Sequence, residues 1–472
     1  MSRSAIVIGG GLAGMLAASA LSQSVDKVTV LERDTLADVP QPRKGLPQGH
    51  HAHVLLPSGR DAIDALIPGV SIRKRLLAAG AHEASLTSLI TLGSEGWFRR
   101  WGRQEHLLLT ASRDLLDWTV RDAVLGTPGV DLRTGQAVAL LGNAARVTGV
   151  RVSDADGEEA ELSADLVIDA SGRGSRAVRW LGDFGITGIP ESIVDSGLVY
   201  ASRLYRVPEG AEMFPVTQVT ADPFASQPGR SANLVPIEGN RWLVSLGGTR
   251  GGEPPADAAG FVRFARDVRH PIVGQLISCA EPLSEVTLTR STRNGRRFFE
   301  KASAWPEGFV VLGDAVATYN PVYGQGMSVA ALGAQAVHRE LQQRGVAAPG
   351  FARRVQRAVA KPVAAAWAMS TSQDRWFPGV QGSAPTVIDR LLTRYTRRMT
   401  RVATTSHAVS TAMCAVTTLQ EDAIRLVRPF LLRATLAGPV LPALSGPPLT
   451  EDERAMLHAL DRSEEEAGNE RE

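Results

Sequence analysis

A glycine-rich segment close to the N-terminus constrains the fold of this chain more than any other feature. The apolar run Ala5–Ile8 is typical of a buried parallel strand, and Gly9, Gly11 and Gly14 follow it directly. In this order, Gly9 permits a tight turn, Gly11 lets the backbone approach a pyrophosphate, and Gly14 allows a helix to pack closely on the strand. The spacing predicts a strand–turn–helix unit that binds a dinucleotide at the positive N-terminus of the helix.

An acidic residue stands where such a unit binds the ribose. Val28–Leu31 predicts a second strand, and Glu32 ends it, 21 residues beyond Gly11. A carboxylate at this place takes the ribose hydroxyls and disfavours a phosphorylated ribose. FAD or NAD is therefore favoured over NADP.

Two later segments indicate which dinucleotide is bound. The segment Asp165–Gly172 predicts a strand that ends in Asp-Ala-Ser-Gly, and Phe309–Ala315 predicts another that ends in Gly-Asp. Gly324 and Gly326 then open a predicted helix whose amides can face flavin carbonyls and phosphates. Asp314, at the end of its strand, is well placed to bind a ribityl hydroxyl.

Together these segments resemble the FAD-binding fold of the p-hydroxybenzoate hydroxylase-like superfamily, over roughly residues 2–60, 107–181 and 298–341. The resemblance implies non-covalent FAD. It also implies that Arg43 reaches the cofactor phosphates and that Arg113 starts a helix over the cofactor. The full set of cofactor-binding residues predicted in this way is Gly9, Gly11, Leu12, Ala13, Gly14, Glu32, Arg33, Arg43, Lys44, Gly45, Arg113, Asp169, Asp314, Pro321, Gly324, Gly326 and Met327.

Within this superfamily, the loop Arg43–His51 looks most like that of the flavin-dependent epoxidases of polyether ionophore biosynthesis, of the lasalocid and monensin type. That resemblance implies epoxidation of carbon–carbon double bonds in a linear, largely apolar polyketide, with molecular oxygen as co-substrate and a flavin hydroperoxide as oxidant. Because the flavin carries the chemistry, no catalytic side chain is predicted. Three alternatives stay open: a lipid reductase or dehydrogenase similar to geranylgeranyl reductases, a flavin hydroxylase or halogenase, and a non-catalytic lipid-binding relative similar to Rab GDP-dissociation inhibitors.

One departure from the superfamily pattern bears on the electron source. Aromatic hydroxylases usually carry Asp-Gly where this chain has Asp169-Ala170, and that segment is linked with binding of both FAD and NAD(P)H. Reducing equivalents from NAD(P)H are therefore expected to arrive through a separate flavin reductase.

The order of the segments predicts an α/β protein, α+β overall. A discontinuous Rossmann-like FAD-binding domain covers residues 1–80, 105–181 and 295–345, and an antiparallel-sheet substrate domain is inserted as 81–104 and 182–294. Strands such as Leu198–Tyr200 and Leu243–Leu246 are expected to line an apolar tunnel. A C-terminal helical region is predicted over 346–448, followed by an acidic, disordered tail over 449–472.

Composition excludes several other classes. The net charge of +2 gives no reason to expect nucleic acid, and the two cysteines form no metal or disulfide pattern. His51 and His53 lack a neighbouring carboxylate or cysteine, so they are predicted to line the flavin rather than bind metal. No apolar run is long enough to span a membrane, so a cytoplasmic protein is expected.

The predicted partners are an apolar polyene, free or carrier-bound, and a flavin reductase. Arginines at helical spacing from Arg390 to Arg401 predict a solvated face or one that contacts an acidic carrier domain or a membrane surface.

Overall fold

The computed structural model describes residues 2–43, 45–290 and 292–469. Its strands are β1 (Ser4–Ile8), β2 (Lys27–Glu32), β3 (Val54–Leu55), β4 (His82–Ser85), β5 (Ile90–Gly93), β6 (Gly96–Trp97), β7 (Leu107–Thr110), β8 (Val130–Thr134), β9 (Gln136–Gly142), β10 (Val147–Ser153), β11 (Glu159–Ser163), β12 (Leu166–Asp169), β13 (Glu191–Val194), β14 (Val199–Arg206), β15 (Thr217–Val219), β16 (Arg230–Ile237), β17 (Arg241–Gly248), β18 (Thr287–Thr289), β19 (Asn294–Arg297), β20 (Phe309–Val311) and β21 (Ala317–Thr318).

The α-helices lie between and after these strands. They are α1 (Leu12–Ser22), α2 (Pro57–Leu66), α3 (Ile72–Ala78), α4 (Arg113–Leu125), α5 (Ala177–Asp183), α6 (Ala258–Asp267), α7 (Ile272–Ser278), α8 (Gly326–Arg344), α9 (Phe351–Asp374), α10 (Val387–Ala403), α11 (His407–Thr417), α12 (Pro429–Ala437) and α13 (Glu451–Asn469).

A parallel sheet of five strands, in the order β20–β12–β1–β2–β8, forms the first layer. Strands β1, β12 and β20 are short apolar runs whose residues are almost all buried, as expected for a sheet covered on both faces. Helices α1, α4, α8 and α9 share one hydrophobic core with it. This is a Rossmann-like arrangement, and the predicted α/β fold class is confirmed.

A second sheet of seven strands, in the order β18–β14–β17–β16–β15–β5–β6, is antiparallel except where β15 meets β5. Alternate residues of its strands, such as Leu234, Val244 and Leu246, are buried in a core that α6 and α7 complete. The opposite face of this sheet is turned toward the cavity described below.

A disordered tail is expected over 449–472, but its described part, up to residue 469, is ordered; residues 470–472 lie outside the described residues. Residues 451–469 form helix α13, and its Leu457 and Leu460 are buried in the core of the seven-stranded sheet. The Glu453 carboxylate also pairs with the Arg100 guanidinium at 2.6 Å. The acidic composition hid two apolar side chains at helical spacing, and their burial contributes part of the free energy that orders the segment.

Within the described residues, no helix combines the length and the apolar character that crossing a membrane requires.

Candidate functional site

The first glycine turn joins β1 to α1 at the carboxyl end of the parallel sheet. Gly9 has a φ of +102°, a backbone conformation that favours glycine. A Cβ on Gly14 would lie 1.8 Å from the Gly9 carbonyl oxygen, whereas a Cβ on Gly11 would meet nothing within 4 Å. Gly14 therefore permits close packing inside the protein, while Gly11 leaves open space outside the turn.

Glu32 lies directly against this turn. Its Oε2 accepts hydrogen bonds from the Gly10 amide at 2.9 Å and from Arg43 Nη2 at 2.8 Å. Arg43 Nη1 also donates to the Gly10 carbonyl at 3.1 Å. Within the described part of the chain, Arg43 Nε is buried without a hydrogen-bond partner. The turn thus presents a buried carboxylate beside an incompletely paired guanidinium.

The second glycine turn precedes α8. Gly324 has a φ of +63°, and a Cβ on Gly326 would meet no atom within 4 Å. Asp314 follows β20 and lies 3.8 Å from the Arg173 guanidinium. Like the first turn, this one places open space at the N-terminus of a helix, where amides and the helix dipole favour anionic or carbonyl groups.

A buried carboxylate supports the second turn from behind. Asp374, which is 1% exposed, accepts hydrogen bonds from Asn294 and Asn320 and from the Tyr323 hydroxyl at 2.7 Å. The pKa of Asp374 is raised by burial, and these three donors oppose that shift. The turn is therefore fixed by α9, which is more than fifty residues away in sequence from Tyr323.

The loop before β3 lies between the two turns and the second sheet. Arg113 begins α4 and its Nε donates to Asp117 at 2.6 Å. His53 Nε2 contacts the Gln48 carbonyl at 2.8 Å. Burial, and then the Arg113 charge, lowers the pKa of His53 to about 3, so this ring is neutral at pH 7.

The cavity face of the seven-stranded sheet carries a row of neutral polar residues. Gln218 pairs with Asn233, Asn233 with Ser245, and Ser245 with Ser202 in the strand register. Directly opposed residues point to the same face, and strands lie about 4.8 Å apart, so the row extends about 14 Å. We call these four residues the polar row.

His51 extends the polar row. Its Nδ1 lies 2.7 Å from Ser202 Oγ, which lies 2.6 Å from Ser245 Oγ. Ser245 Oγ also accepts from the Ala52 amide at 2.8 Å. Burial, and then His50, lowers the pKa of His51 to about 4. Within the described residues its Nε2 is buried and has no partner.

Both turns, the loop and the sheet enclose one cavity of about 510 Å³. Of the predicted cofactor-binding residues, fourteen line it: Gly9, Gly11, Leu12, Ala13, Glu32, Arg33, Arg43, Gly45, Arg113, Asp314, Pro321, Gly324, Gly326 and Met327. Gly14 and Asp169 lie behind this wall, and Asp169 accepts hydrogen bonds from Ser171 and Ser175 instead. Lys44 lies outside the described residues.

The sheet presents the expected apolar tunnel only in part. Tyr200, from the first of the two predicted strands, lines the cavity, and so does the apolar Val235. Val244 and Leu246 instead point into the core on the other side, while the polar Gln218, Asn233 and Ser245 line the cavity. Among the described residues, the sheet contributes no charged side chain to the cavity. The alternation of polar and apolar residues within β16 and β17 indicates which residues of each strand share a face. The polar row also depends on the register between strands, and the sequence does not give that register.

The residues present fit a dinucleotide. Open space at Gly11 and Gly326 faces two helix N-termini, and five arginines (Arg33, Arg43, Arg113, Arg173 and Arg176) line the same cavity. Glycine turns and arginines of this kind bind pyrophosphate, and Glu32 is placed for a ribose.

No family model matches the chain. Protein Rv3254 of Mycobacterium tuberculosis is 32% identical over 384 residues, which are 78% of this chain and 80% of the relative. Kynurenine 3-monooxygenase of Salinispora arenicola is 27% identical over 340 residues, or 69% of each chain.

Two solved structures are also similar. The flavin-dependent brominase Bmp2 has a TM-score of 0.58 at 16% identity and covers 84% of this chain and 100% of its own. PqsL, a probable FAD-dependent monooxygenase from Pseudomonas aeruginosa, has a TM-score of 0.58 at 17% identity and covers 80% of this chain and 98% of its own. The fold is that of flavin-dependent monooxygenases and halogenases. By sequence, the chain belongs to the same family as Rv3254.

Proposed function

We propose that this protein is a FAD-dependent monooxygenase that transfers one oxygen atom from molecular oxygen to a carbon–carbon double bond of a linear polyketide. One observation carries the proposal: two glycine turns of the kind that bind FAD, and a neutral polar sheet face, enclose the same cavity. Cofactor and substrate can therefore meet there.

In this proposal the amides at Gly11 and Gly326, with Arg43 and Arg113, hold the cofactor, and Glu32 binds its adenosine ribose. Bound and reduced, FAD supplies the activation of molecular oxygen. The side chains of this protein orient the substrate and exclude water.

The polar row supports a polyketide over a hydrocarbon chain. Gln218 and Asn233 need hydrogen-bond partners once a ligand displaces water, and a hydrocarbon offers none. A polyketide carries oxygen functions along its length, so it can pair with several of these side chains. The described sheet residues that line the cavity are uncharged, which favours neutral groups such as hydroxyls and ketones over carboxylates.

Epoxidation also suits the protonation state of the site. An alkene reacts with an electrophilic oxygen without first losing a proton, so no strong base is required. The pKa of His51 near 4 makes this ring a weak base and a neutral hydrogen-bonding group at pH 7.

The decisive experiment combines ¹⁸O₂ with the reduced, FAD-loaded protein and a panel of oxygen-bearing polyenes. We expect one labelled atom in an epoxide for each olefin oxidised, detected by product mass. A product that gains two hydrogens and no label would establish a reductase. A purified protein that binds no FAD would overturn the cofactor assignment itself.

The electron source is part of the same proposal. With Ala170 in place of the usual glycine, we expect NAD(P)H to reduce the isolated protein slowly and a separate flavin reductase to support turnover. Rapid, substrate-stimulated oxidation of NADPH by the isolated protein would contradict this. The substrate is proposed to be free or attached to a carrier domain.

A second candidate reaction is aromatic hydroxylation, which the contacts of His51 favour. With Nδ1 donating to Ser202 Oγ, the unpartnered His51 Nε2 can accept a hydrogen bond from a phenol hydroxyl. The label would then appear in a hydroxyl group, and His51→Gln would lower kcat far more than KM.

A further inference from the structure

The C-terminal helices expose an unusual share of the apolar surface. Among the described residues, fifteen large apolar side chains are exposed, and ten of them lie between residues 387 and 441. They are Val387, Ile388, Leu391, Leu392, Ile424, Val427, Phe430, Leu436, Val440 and Leu441. We call residues 387–441 the C-terminal patch. Clusters of this kind mark interaction sites, whereas single exposed apolar residues do not.

Helix α10 explains how the exposure arises. Ile388, Leu391, Leu392 and Tyr395 are spaced three or four residues apart and share one face with Met399 and Val402. Met399 and Val402 are buried in a small core with Leu431 of α12. Ile388 and Leu391 continue the same face beyond that core, where they are 69% and 61% exposed. The apolar face of α10 is thus longer than the core that covers it.

Polar contacts at the buried half of α10 fix the position of this helix. The Tyr395 hydroxyl donates to the Leu426 carbonyl at 2.5 Å, and Arg398 donates to the Thr435 and Leu436 carbonyls at 2.6 Å each. Helix α10 is therefore held against the segments that carry Val427 and Phe430, and the exposed side chains belong to one packed unit.

The net charge of the C-terminal patch indicates which kind of partner it can bind. The C-terminal patch contains eight arginines and three acidic residues, a net charge of +5, whereas the rest of the chain carries −3. Arg397 and Arg401 pair with Glu95, and Arg425 pairs with Glu421. Four other exposed arginines have no acidic partner within the described residues: Arg390, Arg394, Arg428 and Arg433.

A second copy of the chain fits this surface poorly. A two-fold interface places the same patch against itself, so it would bring two clusters of unpaired arginines together. A bilayer with anionic headgroups complements both the unpaired arginines and the exposed apolar side chains. Its phosphates pair with arginine, and the boundary between headgroups and acyl chains accepts leucine and phenylalanine. An amphipathic helix with arginine on its polar face is the usual element that binds such a surface.

We propose that the C-terminal patch docks the protein on an anionic lipid surface, with Ile388, Leu391 and Leu392 inserted at the level of the headgroups. This docking is peripheral, and it is independent of the reaction proposed for the cavity.

The test is sedimentation of the full-length protein with sonicated vesicles of phosphatidylcholine, with and without about one quarter phosphatidylglycerol. We expect binding to the mixed vesicles, and a large loss of binding to pure phosphatidylcholine and in 0.5 M NaCl, since surface electrostatics is screened. The double variant Ile388→Glu, Leu392→Glu should lower binding to mixed vesicles at least tenfold. Met213→Glu is the matched control, because Met213 is 91% exposed but lies outside the C-terminal patch.

Circular dichroism melting must show the variants folded, as expected for changes at exposed positions. Absence of vesicle binding by the unmodified protein, or equal loss in the Met213→Glu control, would overturn the proposal. A dimer in light scattering that the double variant converts to a monomer would also overturn it, because a second copy would then cover the C-terminal patch.

Discussion

The two walls of the central cavity are built in different ways. The cofactor wall consists of two glycine turns with arginines around them, and each turn is a continuous stretch of sequence. The sheet wall consists of single side chains from four strands, brought into line only by the strand register. The first wall can be recognised in a linear sequence because its chemistry is local. The second becomes visible only once the strands are paired.

The largest expected effect comes from two glycine variants in the cofactor wall, one that disturbs helix packing and one that disturbs FAD binding. Gly14→Val forces a side chain against the Gly9 carbonyl, so we expect a loss of ~3 kcal/mol of stability and no detectable FAD. Gly11→Val meets open space in the protein, so Tm should be unchanged while FAD affinity falls about a hundredfold, or ~2.7 kcal/mol. Thermal melting and fluorescence titration with FAD distinguish the two. Normal FAD binding by Gly11→Val would show that this turn does not hold the cofactor.

A second change tests whether the second glycine turn of the cofactor wall depends on a distant part of the chain. Asp374→Ala leaves Asn294, Asn320 and Tyr323 without their acceptor, and we expect a loss of ~3 kcal/mol in urea denaturation. Tyr323→Phe removes one donor and should cost ~1 kcal/mol. Equal, small losses in both variants would mean that α9 does not support the second turn.

The loop that meets the sheet wall should make stability depend on pH. The pKa of His51 is lowered to about 4 from an ordinary value of 6.5 by burial and by His50. Between these values the unfolded chain binds the extra proton and the folded protein does not, so stability decreases as pH falls from 6.5 toward 4. At pH 5 this amounts to ~2 kcal/mol. His51→Gln should lose that part of the dependence, and an unchanged pH profile of Tm would argue against a buried neutral ring.

The smallest effect concerns recognition by the polar row. Asn233→Leu should lower kcat/KM for a hydroxylated polyene about tenfold, the equivalent of one hydrogen bond, and leave a hydrocarbon polyene of equal length unaffected. Product formation from the two substrates measured side by side provides the comparison. Equal losses on both would indicate a change in shape instead.

Elements whose signal is continuous in the sequence could be predicted, whereas those formed by distant contacts could not. Glu32 and Gly324 were recognisable because strand, turn and helix follow one another in the chain, and both line the cavity; their binding of a cofactor stays a prediction. Asp374 gave no signal, since an aspartate near a helix end is ordinary until three donors surround it. Helix α13 was hidden by acidic composition, although the spacing of Leu457 and Leu460 matched a helix face. In each miss, tertiary packing decided what the local sequence left open.

The distance along the chain between the two glycine turns has a consequence for biosynthesis. Gly11 and Gly326 face one cavity but are 315 residues apart. At a translation rate of about 5–20 residues per second, the first turn leaves the ribosome roughly 15 to 60 seconds before the second. During that interval the nascent chain has only one of the two turns, so the complete cavity can form only in the last third of synthesis.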